Sequence, residues 1–127
     1  MAEFIRVAVC DDARGVTMLL RHFLEEEGDM RVVSSTATGE AVLDEVADTR
    51  PDALLLDLLL PDVPDTATLV GDLRRRSPVT AILLMSNMPA FRLEEEAART
   101  GADAWIPKAI KPEELREAVR LMVTATR

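Results

Sequence analysis

The chain has 127 residues, the size of one domain that can bury a hydrophobic core. Apolar residues make up 48% of it and aromatic residues only 3%, which predicts a globular domain with an aliphatic core. The formal net charge of −8 argues against direct nucleic-acid binding by this domain, and the single cysteine, Cys10, excludes an internal disulfide.

The first residues and the length of the apolar runs indicate the cellular compartment in which the protein is expected. No apolar stretch approaches the roughly 18 residues of a membrane span, so we expect no membrane association. The start, MAEFIRVAV, lacks the basic segment and the cleavage site of a signal peptide. A single cysteine suits a reducing compartment, and we therefore expect a cytoplasmic protein.

Short β-rich runs alternate with segments of helical period along the chain. The predicted strands cover residues 4 to 10, 30 to 36, 52 to 57, 79 to 85 and 104 to 107. After each strand, apolar residues recur at the three- and four-residue spacing of an amphipathic helix. The helical segments are marked by Val16, Leu19, Leu20, Phe23 and Leu24; by Val42, Leu43 and Val46; by Leu69, Val70 and Leu73; by the residues after Pro89; and by Leu115, Val119 and Met122.

Strict alternation of strand and helix predicts a mainly parallel sheet with helices on both faces. The first, third and fourth strands are almost continuously apolar, which is typical of central strands, whereas the mixed second strand and the short fifth strand suit the edges. The predicted fold is therefore α/β, a flavodoxin-like doubly wound sheet of five parallel strands in the order 2-1-3-4-5 with five helices. We expect a single domain over residues 1 to 127.

Polar residues stand where the predicted strands end, which is where ligands bind in sheets of this kind. Asp11 and Asp12 follow the first strand, Asp57 ends the third, Ser86 follows the fourth, and Lys108 follows the fifth. Three crowded carboxylates repel one another, and Mg²⁺ would relieve that repulsion. An aspartate beside Mg²⁺ can attack a phosphoryl group, with a hydroxyl and an ammonium group binding the phosphoryl oxygens.

Each of these side chains also has a simpler explanation. Asp12 could cap the first helix, and Asp57 could cap the turn in LPDVPD. Ser86 alone would be an ordinary loop serine, and Lys108 alone would be a solvated lysine. These explanations do not account for all of the positions falling at one edge of the sheet, so we favour the phosphoryl-transfer hypothesis.

Four segments, VAVCDD, LLLDLLLP, ILLMSN and GADAWIPK, resemble in this order the receiver domain of bacterial two-component response regulators. The resemblance runs from the first strand to the last helix. It implies that Asp57 is the phospho-acceptor for a sensor histidine kinase. It also implies that Asp12, Asp57 and the backbone carbonyl of Leu59 ligate Mg²⁺, while Asp11 acts through water.

The resemblance implies a switch as well as an acceptor. Ser86 and Lys108 would bind the phosphoryl group, and Trp105 would occupy the aromatic switch position whose rotamer follows Ser86. A receiver of this kind is a signalling domain rather than an enzyme. Its partners would read the face formed by helix 4, strand 5 and helix 5, through which a homodimer could also form.

The segments DMRVV and KAIKPEEL look more like the NarL/LuxR-type subfamily, whose members regulate transcription and usually carry a C-terminal DNA-binding domain, which is not in this chain. Three residues depart from the family pattern. Asp65 stands where a glycine is usual, and Asn87 replaces a small alanine. Ala109 follows the lysine in place of proline, so the frequent cis peptide bond is not expected.

Three other functions fit the sequence less well. A degenerate receiver would work as a phosphorylation-independent interaction module, but the acceptor, the acidic pair, the hydroxyl and the lysine are all present. A haloacid-dehalogenase-type phosphatase needs an aspartate two residues after its nucleophile, where this chain has Leu59. A flavodoxin needs a Ser/Thr/Gly phosphate loop after the first strand, where this chain has CDDARG.

Overall fold

A computed structural model describes residues 3–126 and confirms the predicted fold, with five parallel strands in the order β2-β1-β3-β4-β5. The single-domain prediction also covered Met1, Ala2 and Arg127, which lie outside the described residues. The strands are β1 (Ile5–Cys10), β2 (Met30–Thr36), β3 (Ala53–Asp57), β4 (Ala81–Ser86) and β5 (Ala104–Pro107). The helices are α1 (Arg14–Glu25), α2 (Gly39–Thr49), α3 (Thr66–Arg76), α4 (Ala90–Thr100) and α5 (Pro112–Thr126).

The sheet separates two apolar layers because neighbouring side chains of a strand point to opposite faces. Leu55 of β3 lies in the layer shared with α1 and α5. Leu54 and Leu56 lie in the other layer, with α2, α3 and α4. The leucine run of β3 is thus buried on both faces, as expected of a central parallel strand.

The register of the central strands places their carboxyl ends side by side. Cys10 of β1 pairs with Leu56 of β3, and Asp57 of β3 pairs with Met85 of β4. The residues that follow β1, end β3 and end β4 therefore reach the same edge of the sheet. Among the described residues, no helix is long and apolar enough to cross a membrane.

Three strands and one helix begin at other residues than expected, and β1 and β3 each begin one residue late, at Ile5 and Ala53. β4 begins at Ala81 rather than at residue 79, because Val79 is 64% exposed and the Thr80 hydroxyl donates a hydrogen bond to the Pro51 carbonyl at 2.7 Å. Ala13 is the N-cap of α1, so the alternative in which Asp12 caps this helix is wrong.

Candidate functional site

The three predicted carboxylates meet at the carboxyl edge of the sheet. One carboxylate oxygen from each of Asp11, Asp12 and Asp57 lies within 4.8 Å of the others. Asp11 and Asp57 are buried, with 1% and 5% of their surface exposed, whereas Asp12 is exposed. Two buried carboxylates in contact with an exposed one form an acidic pocket that opens to solvent.

Lys108 provides the positive charge of this pocket. Its Nζ lies 2.7 Å from Oδ2 of Asp11 and 3.5 Å from Oδ1 of Asp57. The backbone N–H of Lys108 donates to the carbonyl of Ser86 at 3.0 Å, which aligns the end of β5 with the end of β4. One ammonium group is therefore shared between two carboxylates, and the pocket keeps a formal negative charge.

Ser86 ends β4, the strand beside Asp57, and Trp105 lies on β5, the next strand along the sheet. Ser86 is buried, and its Oγ accepts a hydrogen bond from the N–H of Met88 at 3.2 Å. Trp105 is half-buried, pairs with Leu84 in the register of β4 and β5, and packs against the apolar layer that contains α4. The structure thus places the hydroxyl at the strand end and the indole on the edge strand.

The backbone of Leu59 also takes part in the site. Its N–H donates a hydrogen bond to Oδ1 of Asp57 at 3.1 Å, while its side chain is 62% exposed. Leu59 and Met88 line the same cavity of about 270 Å³ between the loop after β3 and α4. The side chains two residues after Asp57 and two residues after Ser86 are therefore both apolar and lie near each other.

Burial raises the pKa of the Asp57 carboxyl above its ordinary value, and the negative charge of Asp11 raises it further. The Leu59 N–H and the Lys108 ammonium offset part of this rise. Burial alone would lower the pKa of Lys108, but its contacts with Asp11 and Asp57 outweigh burial, so that pKa is raised. The lysine thus stays protonated beside a carboxylate whose charge is only partly compensated, and such a site favours an additional cation.

The donor set of the pocket fits a hard cation. Mg²⁺ takes oxygen ligands, typically one or two carboxylates together with water and phosphate oxygens. Asp11, Asp12 and Asp57 offer carboxylate oxygens at mutual distances that one ion can bridge. The acidic pocket is consistent with the Mg²⁺ prediction.

The three departures from the family pattern have different structural roles. Asp65 is the N-cap of α3, where its carboxylate accepts from the N–H of Ala67 at 3.2 Å and lies 3.3 Å from Nη1 of Arg99 on α4. Asn87 and Ala109 are exposed, and the peptide bonds of the described residues are trans. The residue that replaces the usual glycine therefore caps the start of a helix.

One residue close to the site was not found by the sequence analysis. Thr66, the first residue of α3, is 7% exposed, and its hydroxyl donates to the carbonyl of Leu58 at 3.2 Å. Thr66 precedes Leu69, Val70 and Leu73 by three, four and seven residues and so lies on the buried stripe of the helix. A hydroxyl on such a stripe needs a buried partner, and that signal was available in the sequence.

A family model described as the response regulator receiver domain matches residues 7–120 of this chain. The chain is 30% identical over 111 residues to the uncharacterized transcriptional regulatory protein YhcZ of Bacillus subtilis, covering 87% of this chain and 51% of YhcZ. It is 25% identical over 116 residues to the response regulator protein VraR of Staphylococcus aureus, covering 91% of this chain and 55% of VraR. The chain thus spans about half the length of these curated relatives.

Among solved structures, the chain is similar to the signal receiver domain of NarL from Mycobacterium tuberculosis. The TM-score is 0.87 at 27% identity, and the alignment covers 96% of this chain and 98% of that one. It is also similar to the receiver domain of AraT from Geobacillus stearothermophilus, with a TM-score of 0.80 at 27% identity, covering 98% of this chain and 95% of that one.

Proposed function

This chain belongs to the response regulator receiver domain family, with relatives of the NarL/LuxR type, and on that basis we propose that Asp57 accepts a phosphoryl group from a sensor histidine kinase. The observation that carries the proposal is the setting of Asp57 at the end of a central strand. It is buried, lies against two further aspartates, and has a lysine within 3.5 Å. A buried carboxylate whose negative charge is only partly balanced by nearby positive charge is typical of a functional site.

The roles of the surrounding groups follow from their positions. Asp12, Asp57 and the Leu59 carbonyl would hold Mg²⁺, with Asp11 acting through water, and the bound ion would supply the positive charge that phosphoryl oxygens require. The Lys108 ammonium would bind one phosphoryl oxygen and the Ser86 hydroxyl another. One Asp57 oxygen forms a bond to phosphorus while the bond from phosphorus to the donor atom breaks, and the donor atom keeps the electron pair.

Phosphorylation would change the face formed by α4, β5 and α5. Ser86 would turn towards the phosphoryl group, and Trp105 would follow into the space beside β4. Phe91 of α4 is 64% exposed on this part of the molecule and suits contact with a partner. We propose that a second copy or a DNA-binding output domain reads this face.

The acceptor assignment is tested by the intact mass of the protein after incubation with acetyl phosphate and Mg²⁺. Wild type should gain one phosphoryl group, Asp57→Asn should gain none, and Asp12→Asn should gain it slowly because it loses a metal ligand. Asp62→Asn is the matched control, since Asp62 is exposed and accepts from the Gly39 N–H at 3.0 Å, away from the pocket. Normal labelling of Asp57→Asn would disprove the assignment, and an unlabelled wild type would favour the interaction module.

The switch assignment is tested with beryllofluoride, which stands in for the phosphoryl group on Asp57. With Mg²⁺ present, Trp105 emission and hydrogen exchange over residues 87 to 111 should both change. Asp57→Asn with the same additions is the control. If beryllofluoride saturates the wild-type protein and neither Trp105 emission nor hydrogen exchange changes, the role given to Trp105 is wrong.

A further inference from the structure

The peptide unit between Leu58 and Leu59 is held at both of its polar groups. Its carbonyl, on Leu58, accepts a hydrogen bond from the Thr66 hydroxyl at 3.2 Å. Its N–H, on Leu59, donates to Oδ1 of Asp57 at 3.1 Å. Because a peptide unit is planar, a donor that fixes the direction of the carbonyl also fixes the direction of the N–H.

Thr66 is not needed to cap the helix that it begins. Asp65 already performs this role, since its carboxylate accepts from the N–H of Ala67 and from the hydroxyl of Thr68. The Thr66 hydroxyl donates instead of accepting, so it satisfies a carbonyl in the loop before the helix rather than a helical N–H. Its buried hydrogen bond therefore acts on the segment that follows the acceptor.

The two oxygens of Asp57 are in different environments as a result. Oδ1 receives the Leu59 N–H and lies 3.5 Å from the Lys108 ammonium. Among residues 3–126, no hydrogen bond reaches Oδ2 of Asp57. The held oxygen fixes the carboxylate plane, and the other oxygen keeps a lone pair for attack.

We propose that Thr66 is a positioning residue for phosphoryl transfer: its hydroxyl orients the Leu58–Leu59 peptide, whose N–H holds Oδ1 of Asp57 and leaves Oδ2 to attack phosphorus. The inference rests on the proposed function of Asp57. With acetyl phosphate as donor, an Oδ2 lone pair forms the new bond to phosphorus. The bond from phosphorus to acetate breaks, and acetate leaves with the electron pair, so that no proton is required.

The test compares rates of phosphoryl uptake from acetyl phosphate at saturating Mg²⁺, followed by intact mass. Thr66→Val and Thr66→Ala both remove the hydroxyl but differ in volume, and both should slow uptake about tenfold, as expected for the loss of one orienting hydrogen bond. Thr66→Ser keeps the hydroxyl and should restore the rate. Thr68→Val is the matched control on the same helix, because the Thr68 hydroxyl donates to the Asp65 carboxylate and not to the Leu58 carbonyl.

A second readout separates orientation from stability. The amide proton resonance of Leu59 should move in the valine and alanine variants and return in the serine variant, whatever the melting temperatures. Uptake at the wild-type rate in Thr66→Val and Thr66→Ala would overturn the inference, as would a serine variant as slow as they are. A wild type that takes up no phosphoryl group would instead overturn the proposed function of Asp57.

Discussion

Two clusters of acidic and basic side chains in this molecule differ in how well their charges are matched. At the carboxyl edge of the sheet, three aspartates lie close together and a single lysine, Lys108, pairs with two of them. Where α5 crosses the end of α1, two arginines meet three carboxylates that are partly exposed. This second cluster, the α1–α5 clamp, consists of Arg116, Arg120, Glu26, Glu27 and Asp29.

The pKa values of the two clusters move in opposite directions. In the clamp, the hydrogen bonds of Arg120 lower the pKa of Asp29 and of Glu27, so both acids are better ionised in the folded chain. At the sheet edge, burial raises the pKa of Asp57. The clamp therefore uses charge to hold two helices together, whereas the sheet edge keeps a charge imbalance that a cation and a phosphoryl group can relieve.

The largest expected effect is that of Lys108→Ala without Mg²⁺. Removing the lysine leaves the fully buried Asp11 side chain without its counter-charge, and breaking a pair of this kind costs about 3 kcal/mol. The free energy of unfolding should fall by that amount and recover in part when Mg²⁺ is added. Lys111→Ala is the control, because Lys111 is exposed and lies just before α5.

Urea denaturation of both variants, with and without Mg²⁺, measures this difference. Lys108→Ala should also lose the phosphorylation-linked change in Trp105 emission, whereas Lys111→Ala should keep it. If both variants lose the change in Trp105 emission to the same extent, Lys108 is not the lysine that binds the phosphoryl group.

The second effect concerns the clamp. Arg116 is 4% exposed and donates to the Phe23 carbonyl at 2.9 Å, so Arg116→Ala should lower the free energy of unfolding by about 2 kcal/mol through lost packing and an unpaired carbonyl. Phosphoryl uptake should not change, since the clamp lies away from the acceptor. Arg116→Met keeps the apolar stem, so it should lower the free energy of unfolding by less than Arg116→Ala. A slower phosphoryl uptake in either variant would contradict the separation of the clamp from the acceptor site.

The third effect is on the lifetime of the phosphorylated state. Hydrolysis needs a water molecule held in line with the leaving carboxylate, and Leu59 and Met88, two residues after the acceptor and after Ser86, offer it no useful hydrogen bond. Wild type should therefore keep its phosphoryl group for many minutes or hours. Leu59→Asn combined with Met88→Glu should speed its loss about tenfold, equivalent to about 1.4 kcal/mol of barrier.

The decay is followed by intact mass after removal of acetyl phosphate, with no phosphatase present. Each single variant is the control for the double variant. Decay of wild type within seconds, with no acceleration in the double variant, would show that water is held by other groups.

The smallest effect is a pH-dependent gain of stability in Asp57→Asn. A raised carboxyl pKa in the folded state means that this group favours folding below its unfolded pKa, and that the contribution is lost as pH rises through the folded pKa. At pH 7 the asparagine variant should be more stable than wild type by about 1 kcal/mol, and the gain should shrink towards pH 4.

The comparison variant is Asp29→Asn in the clamp. The pKa of Asp29 is lowered, so its contribution to stability is present above its unfolded pKa and fades as pH falls through the folded value. Asp29→Asn should therefore be less stable than wild type at pH 7. Thermal melts at pH 7 and pH 4 measure both variants. If the melting temperatures of Asp57→Asn and Asp29→Asn shift from wild type in the same direction at pH 7, the two clusters do not differ as stated.

The strand order and the sheet-edge residues were predictable because both depend on short patterns. Apolar runs marked the buried strands β1 and β3, and the aspartates that follow or end these runs lie in the acidic pocket. The prediction that β4 begins at residue 79 was wrong because Val79 is exposed. A β-branched residue favours a strand only when its side chain packs on a sheet.

The clamp was missed for a related reason. Arg116 lies at a buried position of α5 beside Leu115, but periodicity of apolar residues does not register a charged residue whose stem packs and whose head finds a carbonyl. The partners of Arg116 and Arg120 are some 90 positions away in the sequence, and only the packing of α5 on α1 brings them together.

The fifth strand has a consequence for how this chain meets others. β5 is four residues long, pairs with β4 on one side and ends at Pro107, which has no N–H to donate. A strand of another molecule that tried to extend the sheet there would gain few hydrogen bonds, so this edge is a poor template for aggregation. Concentrated native protein should therefore resist sheet-to-sheet growth at this edge.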